Sequence, residues 1–79
     1  MMETTTFVEK VRQQFIDGDD IDLSITSEFR QIDSYDSLTG MTILVMIKDE
    51  YGVEISDNEY RSCKTLNELF GIVKSKQLL

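Results

Sequence analysis

No proline occurs in these 79 residues, and glycine occurs only four times. Nothing therefore interrupts long helical runs. Signals that start helices are frequent. Thr6–Glu9, Ser56–Glu59 and Thr65–Glu68 each read S/T-x-x-E. In that pattern the hydroxyl caps the first turn and the Glu reaches back to the cap's own amide. Phe7, Val8, Val11, Phe15 and Ile16 recur at helical spacing and predict a first helix. Thr6 is its expected N-cap, and Gly18 is expected to take up the turn near Asp17-Gly18. A second helix is predicted over 37–51, with Ile43, Leu44, Ile47 and Tyr51 as its core face and Gly52 as its stop. The Ser56 box opens a short helix around Tyr60. The Thr65 box opens the last helix, which turns Leu66, Leu69, Phe70 and Val73 inward and ends in Lys74 and Lys76. The expected fold is all-α: a small four-helix bundle of three longer helices and one short one. Its length bounds it to one domain, residues 1–79.

The longest connection lies between the first two helices, from Asp17 to about Tyr35. It carries Asp17, Asp19, Asp20, Asp22, Glu28 and Asp33 against a single base, Arg30. Ile21, Leu23, Ile25, Phe29 and Ile32 interrupt the polar run and predict a loop pinned to the core. Loops of this length in small domains are uncommon and often functional.

Composition removes several classes of function. The net charge is −7, which opposes binding to nucleic acid or anionic membrane and favours partners with Lys and Arg patches. No stretch is long and apolar enough to span a bilayer. The polar run Met1 to Glu9 carries no signal-peptide pattern, so a cytoplasmic monomer is expected. Histidine is absent, which excludes His-based zinc sites, Ser-His-Asp triads and Cys-His pairs within this chain. Cys63 is the single cysteine and reads as a small core residue, so no internal disulfide forms. An enzyme is not expected, nor is a metal site. Asp17, Asp19 and Glu28 fall on ligand positions of an EF-hand-like loop. Ile21, however, stands at another ligand position, and Asp22 stands where Gly is required.

The chemistry that remains centres on Asp36-Ser37-Leu38. A serine at the start of the second helix points its hydroxyl at solvent, beside free amides and the positive end of the helix dipole. A phosphodiester suits that place. On the tripeptide alone the favoured reading is a helix cap, at Ser37 or at Ser34. Ser37, Met41 and Val45 share one side of the helix and form an apolar track beside the core face, suited to docking.

The run from Asp36 to Ile55 joins this tripeptide to Asp49-Glu50-Tyr51-Gly52-Val53-Glu54-Ile55. That unit resembles the acyl carrier proteins, and the likeness continues through the Ser56 and Thr65 boxes. Phe29 falls where that family places an apolar loop anchor. The resemblance implies a 4′-phosphopantetheine arm joined to Ser37, flanked by Asp36 and Leu38, with acyl intermediates carried as thioesters. It implies a phosphopantetheinyl transferase as one partner. It also implies acyl-transferring and ketosynthase-type enzymes with basic docking patches, serving fatty-acid-like, polyketide-like or other specialised acyl biosynthesis. Met46 and Ile47 are candidates to line a place for the acyl chain.

Several positions depart from the usual fatty-acid carrier. Thr39 and Thr42 stand where acids are usual, and Tyr35 stands where a small residue is common. Gly40 lowers helix propensity there by about 1 kcal/mol relative to Ala. Tyr35, Thr39 and Thr42, with Met41 and Val45, are therefore expected to set partner specificity, as in a stand-alone, pathway-specific carrier. Two other functions fit the same residues. One is an aminoacyl carrier of D-alanyl or peptidyl type. The other is an unmodified acidic interaction module in which Ser37 is only a cap.

Overall fold

The computed structural model describes residues 3–77. Met1 and Met2, part of the polar N-terminal run, lie outside the described residues. Four α-helices occur among the described residues: α1 Glu3–Arg12, α2 Ser37–Tyr51, α3 Asp57–Ser62 and α4 Leu66–Gln77. No strand occurs among the described residues. The chain is all-α, a small helical bundle with one short helix, as its sequence predicts.

Helices α1, α2 and α4 pack against one another. Phe7 and Val11 of α1, Ile43 and Ile47 of α2, and Leu66, Leu69 and Val73 of α4 are fully buried between them. Phe7 stacks on Phe70 at 4.7 Å and meets Tyr51 edge-on at 5.7 Å, so one ring links three helices. Tyr60 and Cys63 bring α3 onto the same core. Each large aliphatic or aromatic side chain buried here contributes about 1.5–3 kcal/mol.

The helix ends follow local chemistry. Ser56 and Glu59 form the reciprocal box at α3. Thr65 and Glu68 form another at α4, where Glu68 also accepts from the Lys64 amide. Gly52 closes α2 in the left-handed conformation (φ 68°), its amide donating to Lys48 O. The first box does not form. Helix α1 is already helical from Glu3, which places Thr6 inside it, and Glu9 turns to Arg12 Nε at 2.9 Å. The helix also ends earlier than its apolar spacing implies. After Arg12 the chain tightens into turns (Gln14 N to Val11 O, Phe15 N to Arg12 O) that bury Phe15 and leave Ile16 exposed. Ile16 is thus not a core residue. Gly18 is needed because a Cβ there would run into the backbone carbonyl of Arg12.

The long connection is pinned, as expected. Leu23 and Phe29 are buried, and Ile21, Ile25 and Ile32 pack against the core. Its polar backbone is held by two arginines. Arg12 donates to the carbonyls of Gly18, Ile21 and Leu23 at 3.3, 2.6 and 3.1 Å. Arg30 donates to the carbonyls of Tyr60, Arg61 and Cys63 at the end of α3, and lies over the rings of Phe29 and Tyr60. In return, the carbonyls of Ser27 and Ile25 accept the first amides of α4, from Leu66 at 3.2 Å and Asn67 at 2.7 Å.

Arg30→Met keeps an apolar stem over Tyr60 but leaves those carbonyls without their donor. It should lower stability by about 1–3 kcal/mol, read as a reduced urea midpoint. An unchanged midpoint would show that water replaces the guanidinium without loss.

Candidate functional site

The pinned connection delivers Tyr35, Asp36 and Ser37 to the start of α2. The residue before that start is extended (φ −146°, ψ −176°), and it is Asp36 that caps the helix. Its carboxylate accepts from the Thr39 amide at 2.8 Å and from the Thr39 hydroxyl at 3.0 Å. These bonds, the amide first, hold the Asp36 carboxyl below the usual aspartate range. Neither candidate serine is the cap. Ser34 Oγ donates to Asp17 Oδ1 at 2.7 Å. Ser37 occupies the first helical position, is exposed, and has no hydrogen bond on its hydroxyl among the described residues.

Leu38, Met41 and Val45 are 66, 62 and 58% exposed, on the same helix as the serine. They line a groove of about 420 Å³ with Thr42 and the buried Met46, walled by Gln14 and Asp49. Met46 therefore borders this groove, whereas Ile47 is sealed in the core. Leu44, expected in the core face, is half-buried and borders a separate groove beside Ile55.

Three positions expected at the docking surface play other parts. Thr39 is only 7% exposed and is turned onto Asp36, so its side chain is withdrawn from partners. Thr42 donates its hydroxyl to Thr39 O at 2.8 Å and presents only part of itself to the groove. Tyr35 is half-buried, with its ring against Phe15 and Phe29 and its hydroxyl 2.7 Å from that of Tyr60. Burial, with the Tyr35 hydroxyl beside it, pushes the Tyr60 phenol far above its ordinary range. Gly40 makes this pair possible: a Cβ there would stand 2.5 Å from Tyr35 Oη. Its low helix propensity is thus exchanged for a hydrogen bond between the Ser37 turn and α3.

Among the described residues, no three His, Cys, Asp or Glu side chains converge to hold a metal ion. Cys63 is buried, donates to Glu59 O, and has its thiol pKa raised by burial. No helix among the described residues is long and apolar enough to cross a membrane.

A family model described as the phosphopantetheine attachment site matches residues 9–73. The chain belongs to that family. It is a phosphopantetheine-carrying carrier protein, and its prosthetic group is covalent 4′-phosphopantetheine. No curated protein and no solved structure gives a significant match to the chain. Carrier domains of this family are generally non-catalytic and work with phosphopantetheinyl transferases and acyl-processing enzymes. The residues of this carrier fit the group. An exposed, unengaged hydroxyl stands at the positive end of a fifteen-residue helix, where an attached phosphodiester is favoured.

The carrier's helix starts depend on ionised carboxylates. Glu59 and Glu68, like Asp36, are held below their usual range, each chiefly by backbone amides. Carboxyl groups depressed in the folded state stabilise it fully above their unfolded values, near pH 4–4.5, and lose that contribution as pH falls through the folded values. The thermal midpoint should therefore drop on acidification below about pH 4.5, and Asp36→Asn should shrink that drop. A midpoint flat to about pH 3 would remove the capping account.

Gly40→Ala should destabilise the wild-type carrier by displacing Tyr35. In a Tyr35→Phe background, where the phenol oxygen is gone and the nearest remaining contacts stand at 3.3 and 3.4 Å, the same change should cost much less. Equal effects in both backgrounds, by chemical denaturation, would mean that Gly40 is not there for the phenol pair.

Proposed function

We propose that the arm is joined to Ser37 Oγ and that its cargo is an acyl group, used in a specialised, stand-alone acyl biosynthesis. The observation that carries the attachment point is the division of roles at the start of α2. Asp36 does the capping, and this leaves the adjacent serine exposed with a free hydroxyl. Attachment is a phosphoryl transfer from coenzyme A. Ser37 Oγ forms the new P–O bond, the P–O bond to the adenosine bisphosphate leaving group breaks, and the hydroxyl proton passes to a base of the transferase. The thiol of the bound arm carries the cargo as a thioester.

The acyl reading rests on the exposed Leu38–Met41–Val45 track beside the serine. Apolar area beside an attachment point suits both an apolar cargo and the apolar centre of a weak docking interface. Leu38 opens the track, and Asp36 sets the serine. Tyr35 and Thr42 contribute through position, the first by tying the turn to α3 and the second by bordering the groove. We infer no catalytic role for the carrier's own side chains. Its only thiol is buried, and the Tyr35 and Tyr60 hydroxyls are engaged with each other.

Incubation with coenzyme A and a broad-specificity phosphopantetheinyl transferase should add the mass of one arm. Ser37→Ala should stay unmodified while keeping the same helical circular dichroism. An arm found on Ser37→Ala, or on another serine by peptide mapping, would move the site elsewhere.

A further inference from the structure

At the start of α2 the Asp36 carboxylate is engaged as the helix cap. The first turn of that helix contains no acid. At its far end Glu50 pairs with Lys10, and Lys48 pairs with Glu54. Asp49, also toward that end, is exposed with no base paired to it among the described residues. Further unpaired acids lie on the stretch that follows α1. Asp19 and Asp20 are exposed and line a concave surface of about 420 Å³ together with Ile16 and Asp17. Ile16 is 95% exposed, well beyond Leu38, Met41 or Val45. Arg12 borders the same surface, but its guanidinium is turned to Glu9 and to the carbonyls of Gly18, Ile21 and Leu23. Among the described residues no base pairs with Asp19 or Asp20.

This surface is fastened to the attachment turn. Asp17 accepts from Ser34, three residues before Ser37, at 2.7 Å. Phe15, next to Ile16, packs on the ring of Tyr35 at 6.2 Å. An apolar side chain rimmed by uncompensated carboxylates complements a surface with an apolar recess rimmed by Lys and Arg. Partners differ in how closely they must approach. An enzyme that acts on the arm's terminal thiol can work at a distance from the helix. The enzyme that installs the arm must bring a phosphate to Ser37 Oγ itself, so its footprint has to cover the surface around that turn.

We propose that Ile16, Asp19 and Asp20 form the docking contact for the phosphopantetheinyl transferase, whose facing surface is basic around an apolar recess. The proposal rests on Ser37 as the attachment point. It supplies the steering charge that the first turn of α2 lacks.

The test measures initial rates of arm transfer against carrier concentration for the wild type, Ile16→Ser, Asp19→Asn with Asp20→Asn, and Glu28→Gln as a charge control outside this surface. Circular dichroism and thermal midpoints check that all four are folded. KM should rise roughly fivefold or more in the first two variants, with kcat little changed and Glu28→Gln like the wild type. Added salt should raise the wild-type KM more steeply than that of the double Asp variant. A KM within about twofold of wild type in both variants overturns the docking surface and leaves Ser37 as the site. A wild type that accepts no arm overturns both readings. Sedimentation showing a dimer that Ile16→Ser dissociates would assign the surface to a second copy of the chain and overturn the proposal.

Discussion

Arg12 and Arg30 hold the connection between α1 and α2, and the geometry of the site depends on that hold. A connection this long carries many backbone carbonyls that must find donors or face water. Each arginine supplies a planar fork of donors, and each satisfies three carbonyls at once. Arg12 folds the first part of the connection back on α1. Arg30 locks the second part to the end of α3. Between them, Leu23 and Phe29 reach the core, and Ser27 and Ile25 accept the first amides of α4. The connection is therefore part of the packed structure and a rigid lead into α2. Tyr35 then fixes its final residues, through rings on one side and the Tyr60 hydroxyl on the other.

With the arm on Ser37 as proposed, the start of α2 divides capping and attachment between two residues. A capping serine turns its hydroxyl toward an amide two or three residues on, and so away from an incoming phosphate. Asp36 takes the capping task with a charged acceptor, which makes a stronger bond than a neutral hydroxyl. Thr39 completes it by giving both its amide and its hydroxyl to the same carboxylate. The serine is left at the first helical position, held in place by backbone alone.

Much of this fold is legible in the sequence, and the failures have physical causes. The Ser56 and Thr65 boxes form because each opens a helix after non-helical residues, where the first amides are free. The Thr6 box fails because helical residues already precede it, so Thr6 has no free amide to cap. Ile16 fits the apolar spacing of the first helix, but the helix ends at Arg12 and the turns rotate that side chain outward. At the candidate site, the placing of Met41 and Val45 on the side of Ser37 follows from helical periodicity, whereas the exposure of Leu38 does not. The identity of the cap does not, because periodicity cannot choose among Ser34, Asp36 and Ser37. The Tyr35–Tyr60 pair was also hidden, since its members lie twenty-five residues apart and no local pattern joins them. Gly40 reads as a weak point until that pair is seen, and then as the residue that makes room for it.

Helix α2 is apolar on its buried face and carries a second, exposed apolar track. Surfaces of that kind tend to find each other, and a helix with two apolar faces invites pairing with a second copy. The net charge of −7 works against that, because two copies meeting face to face bring like charges together. The same charge attracts a basic partner. Acidic residues kept off the apolar track, along the α1–α2 connection and toward the far end of α2, can steer an enzyme without interrupting the apolar contact. This arrangement favours fast encounter and weak hold, which suits a carrier that must release one enzyme before meeting the next.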